Sequence, residues 1–113
     1  MDTNYREDHK AALDRILGVI PGVKISKAFG YPAYKIGGRI FCWVGQNGIT
    51  IKLPRERVDE LIAEGGNHHP FGPTKETIWR EWLAIEREKS ADYEQDLPLF
   101  EESLSFVSGT FGT

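Results

Sequence analysis

Residues 33–53, AYKIGGRIFCWVGQNGITIKL, constrain the fold of this chain more than any other segment. Short runs of aliphatic and aromatic residues are separated there by Gly37-Gly38 and by the GQNG segment. Alternating apolar and polar residues bounded by glycine turns are typical of antiparallel strands joined in hairpins. The preceding VKISKAF segment shows the same alternation. The predicted strands are residues 23–29, 33–36, 39–44 and 49–53.

The last hairpin has two possible registers. A four-residue loop pairs Val44 with Ile49, whereas a tight Asn47-Gly48 turn pairs Val44 with Ile51. Either register keeps the aliphatic residues on one face, because strand side chains alternate with a period of two. The predicted inner residues, packed against helices, are Ile40, Cys42, Ile49 and Ile51. The predicted outer residues are Phe41, Trp43, Thr50 and Lys52.

The Gly37-Gly38 turn also has two solutions. A two-residue turn would direct Lys35 into the aliphatic face. A three-residue loop with a glycine bulge would pair Ile36 with Ile40 and Lys35 with Phe41. Because an unpaired buried lysine costs several kcal/mol, we predict the bulged loop.

Apolar residues at helical spacing predict three helices. They span residues 4–17, 54–64 and 91 to about 107. Asp2 or Thr3 can cap the first helix, and Ser90 can cap the third. Pro54 suits the first turn of the second helix. Pro98 should kink the third helix or reset its start.

The remaining segments are a strand, a loop and a tail. TIWREWLAI, residues 77–85, favours a strand by its β-branched and aromatic content, with Trp79 and Trp82 as core residues. NHHPFGP, residues 67–73, is predicted to be a loop, and the terminal SGTFGT to be frayed. This order of elements predicts an α+β fold, a two-layer sandwich with helices on one face of an antiparallel sheet. The other face should be open to solvent.

The length of 113 residues suits a single domain, residues 1–113. No apolar run approaches the ~18 residues that a membrane helix needs, and the polar start MDTNYREDHK is unlike a secretory signal. A lone Cys42 cannot form an internal disulfide. These features predict a cytoplasmic protein without membrane contact.

Charge is distributed unevenly along the chain. The net charge is −3, but residues 22–57 contain seven basic side chains and one acid. That segment therefore carries +6 and the rest of the chain −9. Such asymmetry indicates a polar binding face, although lysines on strands also block edge pairing.

The sequence has no enzymatic signature: it lacks a phosphate loop, a G-x-S-x-G elbow and H-E-x-x-H. His68-His69 supplies two ligands at most, so we predict a solvent-touching loop pair and no metal. Cys42, between aliphatic neighbours, is predicted to be a buried structural residue. His9, at the apolar edge of the first helix, is predicted to pack with its hydrogen bonds satisfied. We therefore predict a non-enzyme without metal or cofactor.

Several motifs resemble one family. FGYPAYKIGGRIFCWV, GITIKLPRERVDELIA, PFGP and REWLAI, spread over residues 22–107, resemble the MmcQ/YjbR-like proteins and the related TfoX N-terminal domains. The resemblance implies a CyaY-like fold, also that of frataxin, and some members are described as DNA-binding. Frataxin-like iron binding would need an acidic ridge, but acids and bases are mixed on helix 4–17.

These observations lead to a hypothesis of weak DNA binding with low specificity, because phosphate contacts carry no sequence information. The candidate residues are Lys35, Arg39, Trp43, Lys52, Arg55 and Arg57. One alternative is a protein-interaction or homodimerisation module anchored by Trp43 and Phe41. Another is a small-molecule-binding domain with a pocket near NHHPFGP.

Overall fold

The computed structural model describes residues 5–72, 74 and 76–109. Its elements, in chain order, are α1 (Glu7–Leu17), β1 (Val23–Ala28), β2 (Tyr31–Ile36), β3 (Arg39–Val44), β4 (Ile49–Lys52), α2 (Arg55–Glu64), β5 (His68–Pro70), β6 (Trp82–Ile85), a 3₁₀ helix (Ser90–Asp96) and α3 (Leu97–Ser108).

The six strands form one antiparallel sheet in the order β1-β2-β3-β4-β6-β5. Helix α3 packs against β2, β3 and β4, while α2 packs against β5 and β6. The Tyr34 hydroxyl donates a hydrogen bond of 2.7 Å to Asp14 and so ties β2 to α1. The predicted α+β class, with helices packed on a sheet, is confirmed.

The hydrophobic core lies between the sheet and the helices. Each large apolar side chain buried there contributes about 1.5–3 kcal/mol. The strands contribute Tyr34, Phe41, Cys42, Val44, Ile49, Ile51, Leu83 and Ile85 to the core. From the helices it takes Leu13, Leu17, Val58, Leu61, Tyr93, Leu99, Phe100 and Val107.

The β3–β4 hairpin has the four-residue loop, with Val44 opposite Ile49. The Gly45 N–H donates to the Gly48 carbonyl at 2.8 Å and closes this loop. A Cβ at Gly48 would overlap the Ile85 carbonyl oxygen, so the packing of the loop on β6 requires glycine there. As predicted by side-chain alternation, Trp43 and Cys42 lie on opposite faces.

The prediction for the Gly37-Gly38 turn was wrong. The turn has two residues, both with positive φ, and pairs Ile36 with Arg39. Positive φ at both positions matches the type I′ turn that suits the twist of a hairpin. Lys35 consequently lies opposite Ile40.

A bulge in β3 then changes which residues face the core. Lys35 pairs with Ile40 and Tyr34 with Cys42, which leaves Phe41 as the extra residue. Phe41 is fully buried in the core, whereas Ile40 lies on the opposite face. The prediction of Ile40 inside and Phe41 outside was therefore wrong. The bulge restores the alternation, so that Lys35 stays out of the core.

Two predicted segments differ in extent. Part of the predicted 67–73 loop forms β5, because His68–Pro70 pairs with β6 as an edge strand. The predicted 77–85 strand shortens to Trp82–Ile85, and the residues before it form a loop.

The helix ends also differ from the predictions. Asp2 and Thr3, the predicted caps of α1, lie outside the described residues. Ser90 does not cap a helix but begins the 3₁₀ helix, and α3 starts afresh with Pro98 in its first turn. Of the predicted frayed tail, Ser108 ends α3 and Gly109 forms its left-handed cap, while residues 110–113 lie outside the described part.

Candidate functional site

The sheet face away from the helices, here called the open face, follows from the strand register. Directly paired residues share a face, and neighbours along a strand alternate. The open-face residues of β1 to β3 are Lys24, Ser26, Ala28, Tyr31, Ala33, Lys35, Ile40 and Trp43. Those of β4 to β6 are Thr50, Lys52, His69, Trp82 and Ala84.

An aromatic cluster of Trp43, Phe71, Trp79 and Trp82 covers part of the open face. The Trp43 ring centroid lies 4.6 Å from that of Trp82 and 5.3 Å from that of Phe71. Phe71 in turn lies 5.7 Å from Trp79. These tilted and edge-to-face geometries are the favourable ones for aromatic pairs.

The loop between β5 and β6 brings this cluster together. The Trp79 N–H donates to the Phe71 carbonyl at 2.8 Å, which holds the two ends of the loop against each other. A Cβ at Gly72 would overlap the Thr77 carbonyl, so this closure requires glycine. Trp79 is 43% exposed and Trp82 is half-buried on the open face. Their predicted place in the core was wrong.

A cleft of about 350 Å³ lies between the aromatic cluster and the β1–β2 turn. Its lining consists of Ala28, Phe29, Tyr31, Ile40, Trp43, Phe71, Trp79 and Trp82. Ligand sites in proteins are concave, mainly apolar and aromatic, and roughly 300–1,000 Å³ in volume. The cleft has the shape and lining of a small site of that kind.

Phe29 stands at the rim of this cleft in an unusual conformation. It has φ of 53° in the two-residue turn between β1 and β2, and its side chain is 98% exposed. A bulky residue in this region is strained, at a cost of order 1–3 kcal/mol, and such strain concentrates at ligand contacts. An uncovered ring beside an aromatic cleft is available to close over a bound group.

A second cavity, of about 310 Å³, continues the cleft towards the β3–β4 loop. Both cavities share Tyr31, Trp43 and Phe71. The polar residues of the second cavity are Gln46, Asn47, Thr50 and Glu86. The cleft thus joins an apolar compartment to one that can form hydrogen bonds with a ligand.

Three of the six predicted nucleic-acid contacts lie on the open face. Lys35 and Lys52 share it with Trp43. Trp43 is packed between Phe71 and Trp82, so its ring is a wall of the cleft and not a free stacking platform.

The three arginines do not join them. Arg39 pairs with Ile36 and therefore lies on the helix side of the sheet. Arg57 donates to Glu102 at 2.9 Å and to Glu60 at 3.1 Å. The hydrogen bond to Glu102 raises the pKa of Arg57. Arg55 is exposed at the start of α2. The six residues therefore do not form one continuous basic surface.

No protein-family model, curated protein or solved structure matches this chain. The MmcQ/YjbR-like resemblance therefore stays a prediction from motifs.

Sequence reasoning missed several residues of the cleft. It considered a pocket near NHHPFGP, which contains Phe71, but did not connect it with Trp43. Phe29 was assigned to a strand, although Phe29-Gly30 occupies a hairpin turn.

The histidine pair and Cys42 do not form a metal site. His68 pairs with Ile85 and His69 with Ala84, so adjacent strand residues direct the two rings to opposite faces. Within the described ranges, no three His, Cys, Asp or Glu side chains are grouped to hold a metal ion. Cys42 is buried as predicted, and burial raises the pKa of its thiol.

No helix among the described residues is long and apolar enough to span a membrane.

His9 differs from its predicted role. It is fully buried and meets Tyr93 edge-to-face at 5.0 Å between ring centroids. Neither ring nitrogen has a hydrogen-bond partner of normal geometry among the described residues. The Arg87 backbone is close enough to raise the pKa of the ring, but its effect is the smallest of those that act on His9. Burial lowers the pKa of His9, Arg6 lowers it further, and Asp8 opposes them. The prediction of satisfied hydrogen bonds was therefore wrong.

We expect His9 to make the protein less stable in mild acid. Because its pKa is lowered on folding, the stability is complete above the ordinary pKa of about 6.5 and is lost as pH falls towards the folded-state pKa. The slope from one proton is at most about 1.4 kcal/mol per pH unit. Urea unfolding between pH 7 and pH 5 measures this slope in the wild type and in His9→Leu, which has no ionisable ring. Parallel curves for the two proteins would contradict the prediction.

Proposed function

We propose that this protein is a non-catalytic binding domain that holds a flat apolar or aromatic group in the cleft of the open face. The observation that carries the proposal is the aromatic lining of a 350 Å³ cleft outside the hydrophobic core. Aromatic side chains on a surface lose little conformational entropy when they bind a rigid ring, and each ring pair adds about 0.5–1.5 kcal/mol.

Affinity is expected to be modest for a bare ring. A ring system of about ten heavy atoms, at roughly −0.5 kcal/mol per atom, gives about −5 kcal/mol, or a Kd of a few tenths of a millimolar. Substituents that reach the polar second cavity would add to this.

Nucleic acid is the second candidate, supported by Lys35 and Lys52 on the same face as Trp43. The apolar cleft, together with the placement of Arg39 and Arg57 away from the open face, favours a smaller ligand. A protein partner, including a second copy that inserts an aromatic side chain, would use the same cleft.

A cytoplasmic location belongs to this proposal, since a single buried thiol suits a reducing compartment. Membership of the MmcQ/YjbR-like family is proposed on the motifs alone.

The test uses 2-naphthamide as a neutral probe and the indole N–H signals in ¹H–¹⁵N spectra. The chain has three tryptophans, and all three belong to the aromatic cluster, so every indole signal reports on the cleft. We expect saturable shifts of these signals. Phe29→Ala should weaken binding about fivefold, the equivalent of one lost aromatic contact of about 1 kcal/mol.

Val19→Ala is the matched control, because Val19 is also an exposed apolar residue, at 76%. It should leave the affinity unchanged. Indole signals that stay in place at millimolar probe, or equal affinities of the two variants, would overturn the proposal. Signals that move with protein concentration alone would show a second copy in the cleft instead.

A further inference from the structure

Two lysines of the open face are cross-strand neighbours, and neither has an acidic partner among the described residues. Lys24 lies directly opposite Lys35 in the β1–β2 ladder. Like charges at directly opposite positions repel each other and destabilise a sheet. Within the described part of the chain, no carboxylate lies within 4 Å of either ammonium group. The fold leaves this positive charge uncompensated.

The charge extends along the edge of the cleft. Lys35 is the direct partner of Ile40, which lines the cleft. On the next strand, the Lys52 ammonium lies 5.4 Å from the ring centroid of Trp82, another cleft residue. Adjacent strands lie about 4.8 Å apart, and Lys35 is one strand from Lys24 and two strands from Lys52. Lys24, Lys35 and Lys52 are called the lysine row below.

Among the residues that the structure describes, one acid comes within 4 Å of the lysine row. Glu81 lies 3.9 Å from Lys52, at the limit of an ion pair, and both side chains are partly exposed. Glu86, by contrast, lines the second cavity at the other end of the cleft. Lys35 and Lys52 thus flank the cleft residues Ile40 and Trp82, whereas Glu86 lies in the second cavity.

We infer that the natural ligand is a small aromatic acid, a flat ring that carries a carboxylate or a phosphate. The ring occupies the aromatic cleft and the anionic group meets the lysine row. This inference rests on the proposed function, because the cleft must first hold the ring. The charge complementarity relieves the repulsion between Lys24 and Lys35, which a neutral ligand would leave in place.

Three probes with one ring system test the inference: 2-naphthoate, 2-naphthyl phosphate and the neutral 2-naphthamide, each followed by the indole signals. Exposed ion pairs contribute a few-fold each. We expect both anions to bind about tenfold more tightly than the amide at low salt, and this preference to shrink at 0.5 M salt.

The double variant Lys24→Gln/Lys35→Gln should lose most of the preference and keep its affinity for the amide. The control is Lys27→Gln, which removes the same charge from β1 but on the opposite face, since Lys27 alternates with Ser26 and Ala28. It should keep the preference.

The outcomes separate the two claims. If no probe binds, the proposed function fails and the inference fails with it. If the three probes bind equally, or if the double variant and Lys27→Gln behave alike, the inference fails and the cleft proposal stands. A labelled oligothymidine that binds at least a hundredfold more tightly than 2-naphthyl phosphate would overturn the small acid in favour of a nucleic-acid strand. Three neutralised phosphates would then give a log–log salt slope of about −2.

Discussion

Replacement of Phe41 by alanine is expected to lower the free energy of unfolding by about 3–5 kcal/mol. Phe41 is the extra residue of the β3 bulge, and its ring is fully buried beneath α3. Ser103 on α3 donates a hydrogen bond of 3.4 Å to the Phe41 carbonyl, which fixes the bulged backbone against that helix. Truncation would leave a cavity where the bulge meets the helix, and urea unfolding measures the loss.

Ile40→Ala is the matched control, since Ile40 directly precedes Phe41 in the same strand. Ile40 is only half-buried, at the cleft, so its truncation should cost about 1 kcal/mol. Without the bulge, regular alternation through β3 would bury Ile40 and expose Phe41. Ile40→Ala would then cost more stability than Phe41→Ala. A larger loss for Ile40→Ala than for Phe41→Ala would therefore contradict the bulge.

Asp96→Ala is expected to have an effect of similar size, about 3–5 kcal/mol, because it leaves a desolvated guanidinium without its partner. Arg87 donates to both carboxylate oxygens of Asp96, at 2.7 Å and 2.9 Å. The side chains are only 15% and 4% exposed. The hydrogen bond to Asp96 raises the pKa of Arg87 in the wild type. In the variant the guanidinium keeps its charge even without this partner, because arginine is not deprotonated in proteins, so it cannot relieve the loss by giving up its proton.

This ion pair belongs to a network around Tyr93. The Arg87 N–H donates to the Tyr93 hydroxyl at 3.2 Å, and that hydroxyl donates to the Ile85 carbonyl at 3.0 Å. Burial raises the pKa of Tyr93 to about 12, which keeps its hydroxyl neutral and able to donate. The network joins β6 to the 3₁₀ helix, so its loss should loosen that junction as well as remove the pair.

Glu102→Ala provides the comparison for Asp96→Ala. It breaks the Arg57–Glu102 pair, whose side chains are 33% and 40% exposed, and should cost less than about 1 kcal/mol. Urea unfolding curves for the two variants, recorded at the same pH and salt, measure the two losses of stability. Equal costs would mean that the Arg87–Asp96 pair is as solvated as a surface pair.

The cleft shows how far sequence reasoning about a site can reach. Trp43 was predicted to lie outside the core because alternation alone separates it from Cys42, and the structure agrees. Phe29 joins it from the β1–β2 turn, and Phe71 and Trp79 join it from the β5–β6 loop. The contact among these residues depends on the loop closed by the Trp79–Phe71 hydrogen bond. No local sequence pattern predicts that closure.

The placement of Trp79 and Trp82 was misjudged for a related reason. Apolar residues are usually buried, so a core position is the default expectation for tryptophan. The helices cover only one face of the sheet, however, and the aromatic residues pack on the other. A pattern of hydrophobicity predicts that a residue is shielded from water. It does not predict whether the residue packs in the core or in the aromatic cluster of the open face.

Local patterns were enough to predict the first two helices and the β3–β4 hairpin, because turns and alternation are properties of a few neighbouring residues. Glycines with positive φ occupy the β1–β2 and β2–β3 turns, and the period of two assigns Val44 and Ile49 to the core. That Phe41 faces inward in place of Ile40 depends instead on packing between distant parts of the chain. Both residues are apolar, so hydrophobicity cannot choose between them. The choice follows from the space beneath α3, which exists only after the helix has packed on the sheet.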